Sequence, residues 1–378
     1  MAAASAPAGS KPKLVKSLKL FDVYAVATGA MFSSGLFLLP GIAAAQTGNS
    51  VWLAYLVAGL MILPAMYCMA ELSTAMPRSG GTYFFLDRSM GPLMGTVGGL
   101  GSWVAVVFKS AFALVGMGAY LALYIDLPIT VTAIALTIAF GLLNMFGAKE
   151  TTLLQRILVG TLVVILTAFC IFGLARTGIA DAFAPEPGYG DFFRGGFGGF
   201  FATIGLVFVS YAGLTKVASV AEEVENPDRN IPLGMTLSLV TATAIYTAGT
   251  LVIVTVMPPE DLFGSLTPVA DAGSRFLGWL PYDLGVTLIV VSAVAAFAST
   301  GNAGIMSASR YPYAMAKDRL LPSRLANLGK SGTPTLAIAI TVLVMIAVLL
   351  AFDVESVAKL ASAFQLLLFG LVCLAVIV

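Results

Sequence analysis

Ten long apolar runs, separated by short stretches that hold most of the charge, dominate this sequence. They fall at about residues 18–44, 51–75, 93–124, 127–146, 152–175, 196–223, 232–257, 283–308, 334–352 and 356–378. Each is long enough to cross the hydrocarbon core of a bilayer as a helix. In hydrocarbon every backbone polar group needs a protein partner, so runs of this kind fold as helices. The expected fold class is an all-α polytopic membrane protein. Composition agrees: 59% of the 378 residues are hydrophobic and only 10% are charged, far from a soluble domain.

The charges between the runs set an orientation. Fourteen lysines and arginines lie on the side where the first run begins, against four on the other side. Lys109 and Lys216 fall within runs. This bias predicts a cytoplasmic N-terminus in a cell (plasma or inner) membrane. Residues 1–17 read as a cytoplasmic tail and 18–378 as the transmembrane domain. The start has no apolar stretch ahead of its lysines and does not read as a cleaved signal peptide. The sequence stops at Val378 inside an apolar run, so a longer protein truncated at its C-terminal end is expected.

Two runs are interrupted where a plain membrane helix would keep good helix formers. The first carries Gly29-Ala30-Met31-Phe32-Ser33-Ser34-Gly35 and then Pro40-Gly41. The sixth opens on Gly195-Gly196-Phe197-Gly198-Gly199 and is interrupted by Phe208-Val209-Ser210-Tyr211-Ala212-Gly213. A Gly/Ser face packing on a neighbouring helix is the plain reading of one such stretch. Ten runs, however, divide into two sets of five, and an odd number per set inverts the second against the first. The repeats would be 18–175 and 196–378, with the sixth run answering the first. Matched interruptions at corresponding positions point to a transport site near the middle of the membrane.

Four motifs in order strengthen this reading. Gly29–Phe37, Met76-Pro77-Arg78-Ser79-Gly80-Gly81-Thr82-Tyr83, Ala221-Glu222-Glu223-Val224-Glu225-Asn226-Pro227-Asp228-Arg229-Asn230-Ile231-Pro232, and Ser309–Asp318 with Leu321-Pro322 resemble signatures of the amino acid–polyamine–organocation transporters. The resemblance implies a LeuT-like fold of two inverted five-helix repeats with broken helices 1 and 6. It also implies amino acid transport by alternating access, with the fourth motif following helix 8. The sequence departs from the family pattern at Ser33, where Gly is usual. Some members carry a lysine in helix 5 that acts for the coupling cation, and Thr161 stands there. A gating tryptophan of some members lies near Val209, where the nearest aromatics are Phe208 and Tyr211.

An α-amino acid offers a carboxylate and an ammonium a few ångströms apart. The positive end of the second half of helix 1 suits the carboxylate, through the N–H groups of Ser34, Gly35 and Leu36 beside Ser33. Carbonyls of Ala30 and Met31, and of Phe208 and Ser210 at the other break, suit the ammonium. Tyr211 is a candidate cover. No Asp or Glu stands at mid-depth in any run, so a cationic side chain would lack a carboxylate there. Neutral amino acids are therefore expected, with exchange, cationic substrates or polyamines, and a non-translocating sensor as alternatives.

Coupling candidates follow from position. Lys109 lies at mid-depth of the third run, too far from either interface for its stem to reach. It is expected to face protein or a polar cavity, either bonded to carbonyls or a distant carboxylate, or exchanging a proton during transport. Ser299 and Thr300 form a possible Na+-like site with helix 1 carbonyls, against a plain reading as small-residue packing. Glu222, Glu223 and Arg229 could form an inner gate with Arg78 or Arg88, against a solvated loop. The Pro77–Tyr83 stretch reads as a tight turn.

Other classes fit less well. A channel would show a ring of like charges or a symmetric pore motif. A membrane enzyme would show clustered His, Asp, Glu or Cys at membrane depth; the chain has no histidine, and its three cysteines lie in apolar runs. No enzymatic activity, metal, cofactor or nucleic-acid partner is expected. The expected partners are an amino acid, the lipid bilayer, and a coupling proton or Na+.

Overall fold

The computed structural model describes residues 18–76, 81–146, 152–177, 192–329 and 331–378. The expected tail 1–17, residues Pro77–Gly80 with Arg78, and Lys149 lie outside the described residues. Regular structure among the described residues is helical, apart from one isolated bridge between Leu18 and Val224. Eight segments are long and apolar enough to cross a membrane, and two further apolar helices have 17 residues each, the lower limit for a span.

The first run breaks as expected, into α1 (Leu20–Met31), α2 (Ser34–Phe37) and α3 (Leu39–Thr47). The second divides into α4 (Val51–Met61) and α5 (Leu63–Ala75). Pro64 explains that joint, because proline lacks the N–H that would continue the ladder. Helix α6 (Gly81–Met90) occupies the following connection; Gly81, Thr82 and Tyr83, expected in a turn, open this helix instead. The next three runs are α7 (Pro92–Leu121), α8 (Ile129–Met145) and α9 (Thr152–Thr177). The sixth is α10 (Gly196–Val207) and α11 (Thr215–Val220), joined by a tighter 3-10 turn over Phe208–Leu214. The seventh is α12 (Pro227–Val256).

Two short helices missed by the sequence reading, α13 (Pro259–Leu262) and α14 (Pro268–Phe276), follow α12. They lack the long apolar run that marks a span. The last three helices are α15 (Leu284–Lys317), α16 (Thr335–Ala351) and α17 (Val354–Ile377). Helix α15 corrects the expectation that Ser309–Lys317 follow the eighth helix, because the helix continues through Pro312. At 1.5 Å per residue it is about 51 Å long, more than the hydrocarbon core, so its last turns project beyond it.

The bundle core is set by close approach of small residues. Along the α7–α15 contact, a Cβ added to Gly304 would meet Ser110 Cβ at 2.8 Å, and one at Gly301 would meet Leu114. Such faces let helices meet without a hydrophobic driving force between them.

Among the described residues, contacts between spans tie the bundle at both ends. On the side where α1 begins, Leu18 N–H bonds Glu223 O at 2.9 Å and Glu225 N–H bonds Leu18 O at 2.8 Å. Asp22, fully buried, pairs with Arg156 of α9. Tyr83 donates to Asp318 Oδ2 at 2.6 Å, joining α6 to the end of α15. Burial, then the Asp318 carboxylate, push the Tyr83 phenol above its usual range, so it holds its proton and the bond survives mildly alkaline conditions. Arg88, a candidate gate residue, stands 5.7 Å over the Phe84 ring. On the opposite side, Arg194 N–H bonds Thr47 O at 3.2 Å while its guanidinium lies 4.4 Å over Phe263. Gly264 N–H reaches Gly41 O at 3.4 Å, and Gln46 donates to Glu355 at 3.1 Å.

Candidate functional site

The two interruptions meet inside the bundle. Phe32 and Ser33 leave the helical backbone, Ser33 at φ −149° and ψ −110°. The N–H groups of Phe37 and Leu38 bond Ser33 O and Ser34 O at 3.4 and 3.2 Å, so α2 restarts the helical ladder after the break. The start of a helix is a place that suits an anion. Ser33, Ser34, Gly35 and Leu36 are all buried.

The second interruption lies against the first. A Cβ on Gly213 would stand 2.6 Å from Met31 N and 2.7 Å from Ala27 O, so only glycine permits this approach. A Cβ on Gly35 would meet Ser210 Cβ and Tyr246 Oη at 2.7 Å, and Ser210 Oγ at 2.8 Å. The hydroxyls of Ser33 and Ser210 are buried without completing a hydrogen bond, that of Ser210 beside the Tyr55 phenol. A buried polar atom left unsatisfied costs about 1–3 kcal/mol. The Ser210 hydroxyl therefore meets the start of α2 at Gly35.

Tyrosines hold the opened backbone, and the sequence reading missed three of the four. Tyr55 donates to Gly35 O at 2.5 Å, Tyr246 to Met31 O at 2.6 Å and to Ser210 O at 3.4 Å. Tyr120 donates to Phe37 O at 2.8 Å, and Tyr211 to Tyr55 O at 2.8 Å. The rings of Tyr55 and Tyr211 pack on Tyr246 at 5.6 and 5.4 Å. Tyr211 therefore joins this cluster, while Phe208 packs edge-on against Phe369 of α17. The available signal was the phenol itself, since a tyrosine deep in an apolar run needs a partner for its hydroxyl. Replacing Tyr246 with phenylalanine keeps the ring contacts and removes two hydrogen bonds. We expect a loss of about 1–2 kcal/mol in unfolding free energy, read as a lower melting temperature in detergent. An unchanged melt would show that these bonds contribute no net stability.

The expected ammonium-binding carbonyls of Ala30, Met31 and Ser210 each accept a hydrogen bond from a side chain. Lys109 Nζ bonds Ala30 O at 3.0 Å, Tyr246 bonds Met31 O, and Ser210 O receives the longer branch of the same phenol. An opened carbonyl at this depth needs a donor, and nearby side chains supply it. Lys109 thus faces protein and bonds a carbonyl, one of the two placements expected for it. Among the described residues no carboxylate forms an ion pair with it; the three ion pairs present lie at the ends of the bundle. Lys216, on α11, is close enough to act on it electrostatically.

The other coupling candidates divide. Thr161 and Ser299 line one crevice of about 110 Å³ between α9 and α15, with Gly29 of α1 on its wall. Thr161 lies on the exposed face of α9 with Ile157 and Val164, whereas the buried face presents Val159, Leu162 and Leu166. Thr300 is buried with an unpartnered hydroxyl and does not line that crevice. Asn302 accepts from Asn144 of α8 at 2.7 Å.

Comparison with known proteins agrees with this architecture. The family model described as amino acid permease matches residues 18–378. The chain is 31% identical over 393 residues to a vacuolar cationic amino acid transporter 2 of Arabidopsis thaliana, covering 97% of this chain and 60% of the plant protein. It is 26% identical to a methylthioribose transporter and 27% identical to the branched-chain amino acid permease BcaP, both of Bacillus subtilis. These matches cover 98% and 99% of this chain and 83% of each relative.

Proposed function

The chain belongs to the amino acid permease family, and from that membership we propose that it is a secondary carrier of neutral amino acids working by alternating access. Its two inverted five-helix repeats, with a cytoplasmic N-terminus, enclose the substrate where the interruptions of the first and sixth spans meet. One observation carries this reading: the start of α2 and the buried Ser210 side chain meet at Gly35, where the two interruptions touch. The substrate carboxylate sits on the N–H groups of Ser34, Gly35 and Leu36. The Ser33 and Ser210 hydroxyls complete its shell, and carbonyls of the two breaks, Phe208 O among them, take the ammonium through their second lone pairs.

Substrate charge is set by Lys109. When protonated, Lys109 is a cation at the helix 1 break with no paired carboxylate among the described residues, and it repels arginine, lysine and polyamines. In this respect the chain departs from what the name of its plant relative states. Lys109 also serves as the coupling group, gaining a proton on one side of the membrane and losing it on the other. Thr161 is placed poorly for that role, because it lies on the exposed face of α9.

The test is uptake of labelled amino acids into proteoliposomes holding the purified protein. Unlabelled neutral amino acids are expected to reduce uptake at least fivefold at saturating excess, while arginine and putrescine leave it unchanged. Competition by arginine at the same concentration would overturn the neutral assignment. Absence of uptake across the whole panel would overturn the carrier.

A further inference from the structure

One amide deep in the bundle is not accounted for by the packing around it. Gln365 of α17 is 5% exposed, and its Nε2 has no hydrogen-bond partner. A buried N–H donor without an acceptor is costly, and a native protein that keeps one calls for a specific reason. Space filling is not that reason, because leucine or methionine would fill a similar volume with no donor to satisfy.

The neighbours of α17 fix where this residue stands. Phe364 packs on Phe108 of α7, with ring centroids 6.1 Å apart. Ser362 donates to Leu206 O at 2.5 Å, and Phe369 meets Phe208 edge-on at 5.8 Å. At about 100° per residue round a helix, Gln365 falls between Phe364 on one side and Phe369 and Ser362 on the other. It therefore occupies the sector of α17 between α7 and the sixth span. The first break touches the same two elements. Lys109, next to Phe108, bonds Ala30 O, and Ser210, two residues past Phe208, meets Gly35.

We infer that Gln365 is a specificity-determining residue whose Nε2 donates to a hydroxyl or amide oxygen on the substrate side chain. The inference rests on the carrier reading and narrows it to neutral amino acids with a polar side chain: serine, threonine, asparagine and glutamine. Such an oxygen satisfies the buried donor, whereas an aliphatic side chain of the same shape leaves it unpaired. The amide carries no charge, so it suits a neutral substrate.

The experiment compares kcat/KM for uptake of labelled amino acids into proteoliposomes, in pairs of similar shape: threonine with valine, and glutamine with methionine. Wild type is expected to favour the polar member of each pair at least tenfold. In Gln365→Met, which keeps the length of the side chain, both ratios are expected to fall to within about twofold, with valine uptake changed less than threefold. A side chain that only packs would move both members of a pair together. Wild-type ratios near one, unchanged ratios in Gln365→Met, or equal losses for threonine and valine would each overturn the assignment. The wild-type ratios need no variant, so they decide the matter where Gln365→Met does not fold. No uptake of any labelled amino acid by wild type overturns the carrier reading instead.

Discussion

Gly35→Val is expected to abolish amino acid uptake, by at least a hundredfold, while leaving a protein that inserts and elutes as a single species in detergent. The reason is contact rather than backbone strain, because Gly35 is not among the glycines with positive φ. Its α-carbon faces Ser210 and the Tyr246 phenol so closely that even a methyl group would need one to move. Valine adds two more carbons where Ser210 and the Tyr246 phenol meet the first break. Overpacking of this kind costs about 1–3 kcal/mol in a well-packed core, which a large bundle tolerates. The binding geometry does not tolerate it. Gly35→Ala is expected to fall between wild type and valine. Binding measured by calorimetry with a neutral amino acid is the check, and unchanged affinity in the valine variant would remove the site from the first break.

Lys109→Met is expected to leave a folded protein whose uptake no longer responds to a proton gradient. Wild-type uptake should rise at least fivefold when the outside is made more acidic than the inside. Methionine keeps the length and much of the packing of the lysine stem but neither donates to Ala30 O nor takes a proton. The lost bond leaves a buried carbonyl unpaired, costing about 1–3 kcal/mol, so a melting curve should accompany the transport assay. If wild type ignores the pH step, the lysine only ties α7 to α1. If both proteins respond alike, the proton travels elsewhere.

Much of this architecture was legible because the signals are local. A run of 20 or more apolar residues declares a helix by itself, and the spans agree with the sequence reading to within a few residues over most of their length. Glycines and serines in mid-run marked both interruptions before any neighbour was known. Long-range facts were less accessible. Tyr55 and Tyr246 stand in apolar runs like any core aromatic, and only the fold reveals which carbonyls they face. The continuation of α15 past Pro312 was hidden because the basic residues after Ser309 resemble a loop, although they lie on the projecting end of a helix. Lys109 was readable as an oddity, and its attachment to Ala30 O was not.

The pairing of Leu18 with Glu223 and Glu225 bears on how this end of the molecule opens. Helix α1 is held to the sixth span at its beginning by these two backbone bonds and at its far end by Gly213 lying against Ala27 and Met31. Fastened at both ends, α1 and α11 keep their relative placement in any rearrangement that leaves these contacts intact, and separating them means parting the Leu18 bonds. Two exchanged backbone bonds contribute about 1–3 kcal/mol, a tie within reach of thermal motion.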